Sequence, residues 1–129
     1  MRNPTKAGFT LIELLIVVVI IGLLASIAIP KFQSVRERAY MASLRADLHN
    51  LATQQDIYYN DSYSYSPSIS DLEFNQSEGV TITFGEAHNL GWSASAAHAA
   101  LALESCAIYH GSAAQVAPAT VISRVQCTS

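Results

Sequence analysis

Apolar and polar positions divide the chain into stretches of different period. From Leu14 to Ile29 the sequence reads LLIVVVIIGLLASIAI, an aliphatic run broken by Gly22 and Ser26. Phe9 to Ile29 spans 21 residues, about 31 Å of helix, which matches a hydrocarbon core of about 30 Å. Beyond Pro30 the pattern becomes amphipathic. Met41, Leu44, Leu48, Leu51 and Tyr58 recur three and four positions apart, and polar Gln55 occupies the vacant place on that stripe. Arg36, Glu37, Arg45, Asp47 and Asp56 fall on the other faces, so one stripe is expected to be buried and the rest wet. The run NDSYSYSP, Asn60 to Pro67, supplies stop signals. The pattern therefore predicts one helix from about Thr10 to Tyr59, roughly 75 Å long. Its weak points are Gly22 and Pro30, because Pro30 lacks a backbone donor, crowds the carbonyl of Ser26 and favours a kink.

The remainder alternates with period two. Val80 to Phe84 (VTITF) lies between Gly79 and Gly85, and Trp92 to Ala97 alternates with small residues. Ser105 to Tyr109 ends at a turn-like His110-Gly111-Ser112, and Thr120 to Cys127 places Val121, Ser123, Val125 and Cys127 on one face. These runs predict a three- or four-stranded antiparallel meander whose apolar face packs on the stripe from Met41 to Tyr58. Tyr63 to Ser77 reads as a long loop with a short helical turn at Asp71. The expected fold class is α+β: a long N-terminal helix, half transmembrane and half amphipathic, against a C-terminal antiparallel sheet.

Composition narrows the function. A chain of 129 residues has room for one domain of moderate size, and its net charge of −3 includes no Lys/Arg cluster that would neutralise phosphates. Contact with nucleic acid is therefore not expected. The N-terminus MRNPTKAG is short and basic, which also suits an ordinary secretory signal peptide. Against that reading, the apolar run is long, no A-x-A-like site closes it, and Glu13 lies inside it. A carboxylate in a membrane helix costs roughly 2.5–3.5 kcal/mol on insertion scales, so it is normally paired or functional. Cleavage between Gly8 and Phe9 would place a new α-amine one helical turn from Glu13.

Gly8-Phe9-Thr10-Leu11-Ile12-Glu13, with the basic leader before it and the aliphatic run to Pro30 after it, resembles the class III signal of type IV prepilins and pseudopilins. The resemblance covers about the first forty residues. It implies that a prepilin peptidase cuts after Gly8 and methylates Phe9, and that Glu13 is the assembly carboxylate. It further implies a leader at 1–8, a transmembrane and assembly helix at 9–30, and a globular domain at 31–129 that includes the amphipathic half of the helix. The implied protein is a structural subunit that polymerises into a helical filament serving adhesion, twitching motility or DNA uptake. Its implied partners are further copies, the prepilin peptidase, membrane lipid and inner-membrane assembly machinery. Before assembly it would cross the bacterial inner membrane once, and afterwards lie in an extracellular pilus. A pseudopilin of a type II secretion system is the alternative, with a membrane-anchored binding module or enzyme ranked below it.

Charges flanking the span do not orient it: Arg2 and Lys6 precede it, while Lys31, Arg36 and Arg38 follow. The cysteines do. Cys106 and Cys127 are the only pair, and with His110 they match no zinc spacing, so a disulfide is the expected state. It would close a loop worth about 3 kcal/mol and require an oxidising compartment. Many type IV pilins close their C-terminal segment in this way. His49, His88, His98 and His110 follow no ligand spacing, and Tyr58, Tyr59, Tyr63 and Tyr65 read as packing residues. No catalytic motif, metal site or cofactor is expected. From Asp61 onward Asp61, Asp71, Glu73, Glu78, Glu86 and Glu104 face Arg124 alone, so basic stems could meet acidic heads in a filament. The Gly8-Phe9 junction makes the first prediction. Mass spectrometry of the mature protein should find a chain that starts at Phe9 and is heavier by one methyl group. An intact leader, or cleavage after Ala25 or Ala28, would contradict the prepilin reading.

Overall fold

A computed structural model describes residues 6–128; residues 1–5, with Arg2 of the leader, and Ser129 lie outside the described residues. The chain forms two units, one up to Arg36 and one from Glu37 onward, and helix α1 (Leu11–Ser62) supplies residues to both.

In the first unit every large aliphatic side chain from Leu11 to Val35 is exposed, on all faces of the helix. Pro30 lies inside α1. The hydroxyls of Ser26 and Ser34 donate back to the carbonyls of Leu23 and Lys31, at 2.7 and 2.9 Å.

In the second unit the predicted stripe is buried. Leu44, Leu48 and Leu51 are fully covered, Met41 nearly so, and Tyr58 packs at the edge. Against them stands a four-stranded antiparallel sheet in sequence order: β1 (Val80–His88), β2 (Gly91–His98), β3 (Ser105–Gly111) and β4 (Gln126–Cys127). Val80 and Ile82 of β1, Trp92, Ala94 and Ala96 of β2, and Cys106 and Ile108 of β3 face the helix. Alternate residues of β3, Ala107 and Tyr109, join Ala119 and Val116 in a smaller cluster on the opposite face. The sheet is thus covered on both faces, which is why β2 is buried almost throughout instead of alternating.

Strands β2 and β3 run one or two residues beyond the sequence pattern, and three further boundaries differ from it for a local reason. The helix runs to Ser62, past the expected end near Tyr59, and stops where Tyr63 turns left-handed at φ 53°. Strand β1 continues past Gly85 to His88, with a register shift between Phe84 and Ala87. Gly85 marks that irregularity instead of ending the strand. The expected strand from Thr120 to Cys127 shrinks to Gln126–Cys127. The Gln126 side-chain oxygen accepts from the backbone N–H of Thr120 and of Val121, both at 2.7 Å, and Ser123 reverses the chain at φ 57°. Donors that a strand would offer a neighbour are taken within the loop. The short helical turn appears as a 3-10 helix at Ile69–Asp71.

Two buried polar residues tie the loop at 63–77 to the helix. Gln55, fully buried, donates to the carbonyl of Ser66 at 2.7 Å and accepts from its N–H at 2.9 Å, as a neighbouring strand would. Asp47, expected on a wet face, is instead 3% exposed and accepts from the N–H and hydroxyl of Ser77, both at 2.8 Å. The cause is that Asp47 sits between Leu44 and Leu48 and has a partner thirty residues away. Gln55→Ala would strand both backbone groups of Ser66. It should lower the unfolding free energy of the full chain in detergent by about 2–4 kcal/mol, whereas exposed Thr53→Ala should change it by less than about 0.5 kcal/mol. Equal effects in a denaturant titration would contradict this account of the tether.

Candidate functional site

Helix α1 opens with a residue pair that was legible in the sequence but not read there. Thr10 precedes the helix and Glu13 lies three positions on, the T-x-x-E arrangement of a capping box. Thr10 donates its backbone N–H to Glu13 Oε2 at 2.9 Å and its hydroxyl to the same oxygen at 3.0 Å. The Glu13 N–H returns a bond to Thr10 Oγ1 at 3.3 Å. The carboxylate thus folds onto its own helix start, where the partial positive charge of unsatisfied N–H groups favours it. Both bonds from Thr10 go to Oε2, so Oε1 is open to a second donor. Gly8 and Phe9 stand just before this cap, outside the helix, and Phe9 is 91% exposed. Added atoms at Gly8 or Gly22 would meet nothing within 4 Å.

From Leu11 onward α1 is the helix, among the described residues, that is long and apolar enough to cross a membrane. A helix apolar on every face needs lipid or other helices around it.

The head carries the second feature. Cys106 on β3 and Cys127 on β4 face each other across the antiparallel pair and are joined by a disulfide. His110, considered with them as a metal ligand, instead bonds Ser123 Oγ through Nδ1 at 2.6 Å. The tyrosines divide. Tyr59 stacks on Tyr65 at 4.7 Å between ring centres, and Tyr65 meets His110 edge-on at 5.7 Å. Desolvation first, then the Asp56 carboxylate and Tyr59, raise the pKa of Tyr65 above the ordinary phenol value. Tyr63, expected in this cluster, is 76% exposed at the helix end. His98 is buried and stacks on Tyr40 at 4.0 Å.

The described residues thus hold a helix that is apolar over its first half, with one carboxylate at its start, and an α+β head closed by a disulfide. Residues 3–29 match the prokaryotic N-terminal methylation motif. The chain is 40% identical over 77 residues to the type IV major pilin protein PilA of Myxococcus xanthus, covering 60% of this chain and 35% of that protein. It is 44% identical over 72 residues to the type IV wide pilus major component PilA4 of Thermus thermophilus, 56% of this chain and 53% of that one. It is also 34% identical over 73 residues to the type II secretion system core protein G of Pseudomonas aeruginosa, 57% and 51% respectively. The chain thus spans between a third and about half the length of these relatives. Over its N-terminal part the chain is type IV pilin-like.

The cap makes a prediction of its own. Thr10→Val removes the hydroxyl, and amide exchange at Thr10 and Glu13 in micelles should speed up about fivefold, from a loss of about 1 kcal/mol. Thr10→Ser should retain the protection. Unchanged exchange in Thr10→Val would show that the box does not hold the helix start.

Proposed function

We propose that this chain is the structural subunit of a type IV pilus and polymerises through its N-terminal helix into a surface filament. The observation that carries the reading is the uncovered aliphatic surface from Leu11 to Val35, on a helix whose start bears the methylation motif and Glu13. In this reading residues 1–8 are a leader removed by a prepilin peptidase after Gly8, and Phe9 becomes the methylated terminus. Residues 9–30 first lie in the inner membrane and then in the filament core, while residues 31–129 form the head outside the membrane. Glu13 Oε1 receives the Phe9 amine of an adjacent copy while Oε2 keeps its Thr10 bonds. An unpaired charge in the packed core would cost several kcal/mol, so the pair rewards one register of neighbouring helices. Gly22 and Pro30 mark the segment where the helix yields on packing. Copies, lipid and inner-membrane assembly machinery are the partners.

A second reading is a pseudopilin of a type II secretion system, favoured by the similarity to core protein G. The disulfide between Cys106 and Cys127, which closes the C-terminal region, supports the pilus reading over it.

Glu13→Ala tests the assembly role. The variant should insert and be cleaved as wild type does, since removing a charge eases insertion. At equal expression its protein should remain in the membrane fraction instead of sheared fibres. Fibres as abundant as those of wild type would remove Glu13 from assembly.

A further inference from the structure

The disulfide is asymmetric. Cys106 is completely buried between the sheet and the helix, whereas Cys127, on the short last strand, is only half-buried. Arg45 reaches the outer sulfur: its Nε donates to Cys127 Sγ at 3.3 Å. The backbone of Arg45 is fixed by its neighbour Leu44, which is fully buried. Strand β4 is held beside β3 by more than the sulfur bridge. Thr128 donates its N–H to the Ser105 carbonyl at 3.0 Å, and Ser105 donates its own to the Thr128 hydroxyl at 3.2 Å. These bonds keep the two sulfurs opposite each other when the bridge is open. Among the described residues, those that β3 and β4 bring around them, Ser105, Ala107, Gln126 and Thr128, are uncharged, and Arg45 is a charged group in contact with Cys127.

We propose that Cys127 is the thiol–disulfide exchange site of this chain and that Arg45 is its positioning residue. A guanidinium beside a thiol favours the thiolate, which is the reactive nucleophile. In the reduced chain the Cys127 thiolate attacks one sulfur of an oxidant's disulfide, the class of an exported oxidoreductase or a small disulfide. A mixed disulfide forms on Cys127, and one thiolate of the oxidant leaves. Cys106 then loses its proton and attacks Cys127 Sγ, which expels the oxidant's second sulfur. The cysteine pair gives up two electrons, and the oxidant's disulfide becomes two thiols. Buried Cys106 only resolves; it does not meet the oxidant. The order of attack follows from burial and from the Arg45 contact together. This inference is independent of whether the subunit builds a pilus or a pseudopilus.

The test uses the full chain in detergent micelles. With Cys106→Ser leaving Cys127 alone, alkylation by iodoacetamide at pH 7 should be about threefold slower when Arg45→Gln is added. The lost thiolate is partly offset by the higher nucleophilicity of a less acidic thiol. Arg45→Lys should restore most of the rate, and in urea all three chains should react alike. An unchanged rate in Arg45→Gln, or an equal slowing in Arg45→Lys, would overturn the role of the charge. A second measurement does not depend on those variants folding. The reduced wild-type chain, pulsed briefly with glutathione disulfide and acid-quenched, should carry glutathione on Cys127. Glutathione found chiefly on Cys106 would overturn the proposed order.

Discussion

The structure depends on an aliphatic helix surface that its own chain leaves uncovered. Each large side chain between Leu11 and Val35 forgoes on the order of 1 kcal/mol of burial while it faces water, part of the about 1.5–3 kcal/mol of a fully buried one. Lipid can supply that burial, and so can a bundle of like helices. The two environments differ in what they demand of a charge at the helix start. In a monomer the capping box satisfies Glu13 through Thr10. In a bundle the same carboxylate needs a cation at a defined height. One residue can therefore be tolerable in one environment and register-setting in the other.

The head solves a different problem, because a small sheet must hold to half of a long helix. Small residues on β2, Ala94 and Ala96, share one buried cluster with Leu44, Leu48 and Leu51 of the helix and with Trp92 and Ile108. Gln55 and Asp47 then fix the connecting loop from inside, each through two hydrogen bonds to one serine. The far side of the sheet is covered by the C-terminal loop, where Tyr109 donates to the carbonyl of Thr120 at 3.1 Å and its own carbonyl accepts from Ser123 N–H. The disulfide closes that loop at its base. Gly111 ends β3 against the turn that joins β1 to β2: its φ of 65°, and the Leu90 carbonyl that a Cβ would strike, leave room for no other residue.

Much of this was readable from residue order. The stripe at Met41, Leu44, Leu48 and Leu51 faces the core because helical spacing allows little else, and three of the four strands lie where alternation put them. The cysteines are bonded as a lone pair should be. What escaped was non-local. Asp47 looks like a surface residue until Ser77 is brought beside it, and Gln55 looks like a gap in a stripe until Ser66 supplies both a donor and an acceptor. The last strand failed for a related reason: alternation from Val121 to Cys127 is genuine, but one side chain, Gln126, captures the N–H groups a strand would need. At the N-terminus the cost of Glu13 in lipid is legible from sequence, and so is its local partner Thr10, three positions before it.

The central claim is that the uncovered helix is covered by copies of itself in a surface fibre. Shearing the cells and analysing the fibre fraction by mass spectrometry tests it most directly. The account predicts that this protein is a constituent of the sheared fibres, with its C-terminal peptides linked between Cys106 and Cys127. Its absence from the fibres, with the whole pool retained in the membrane fraction, would contradict the account.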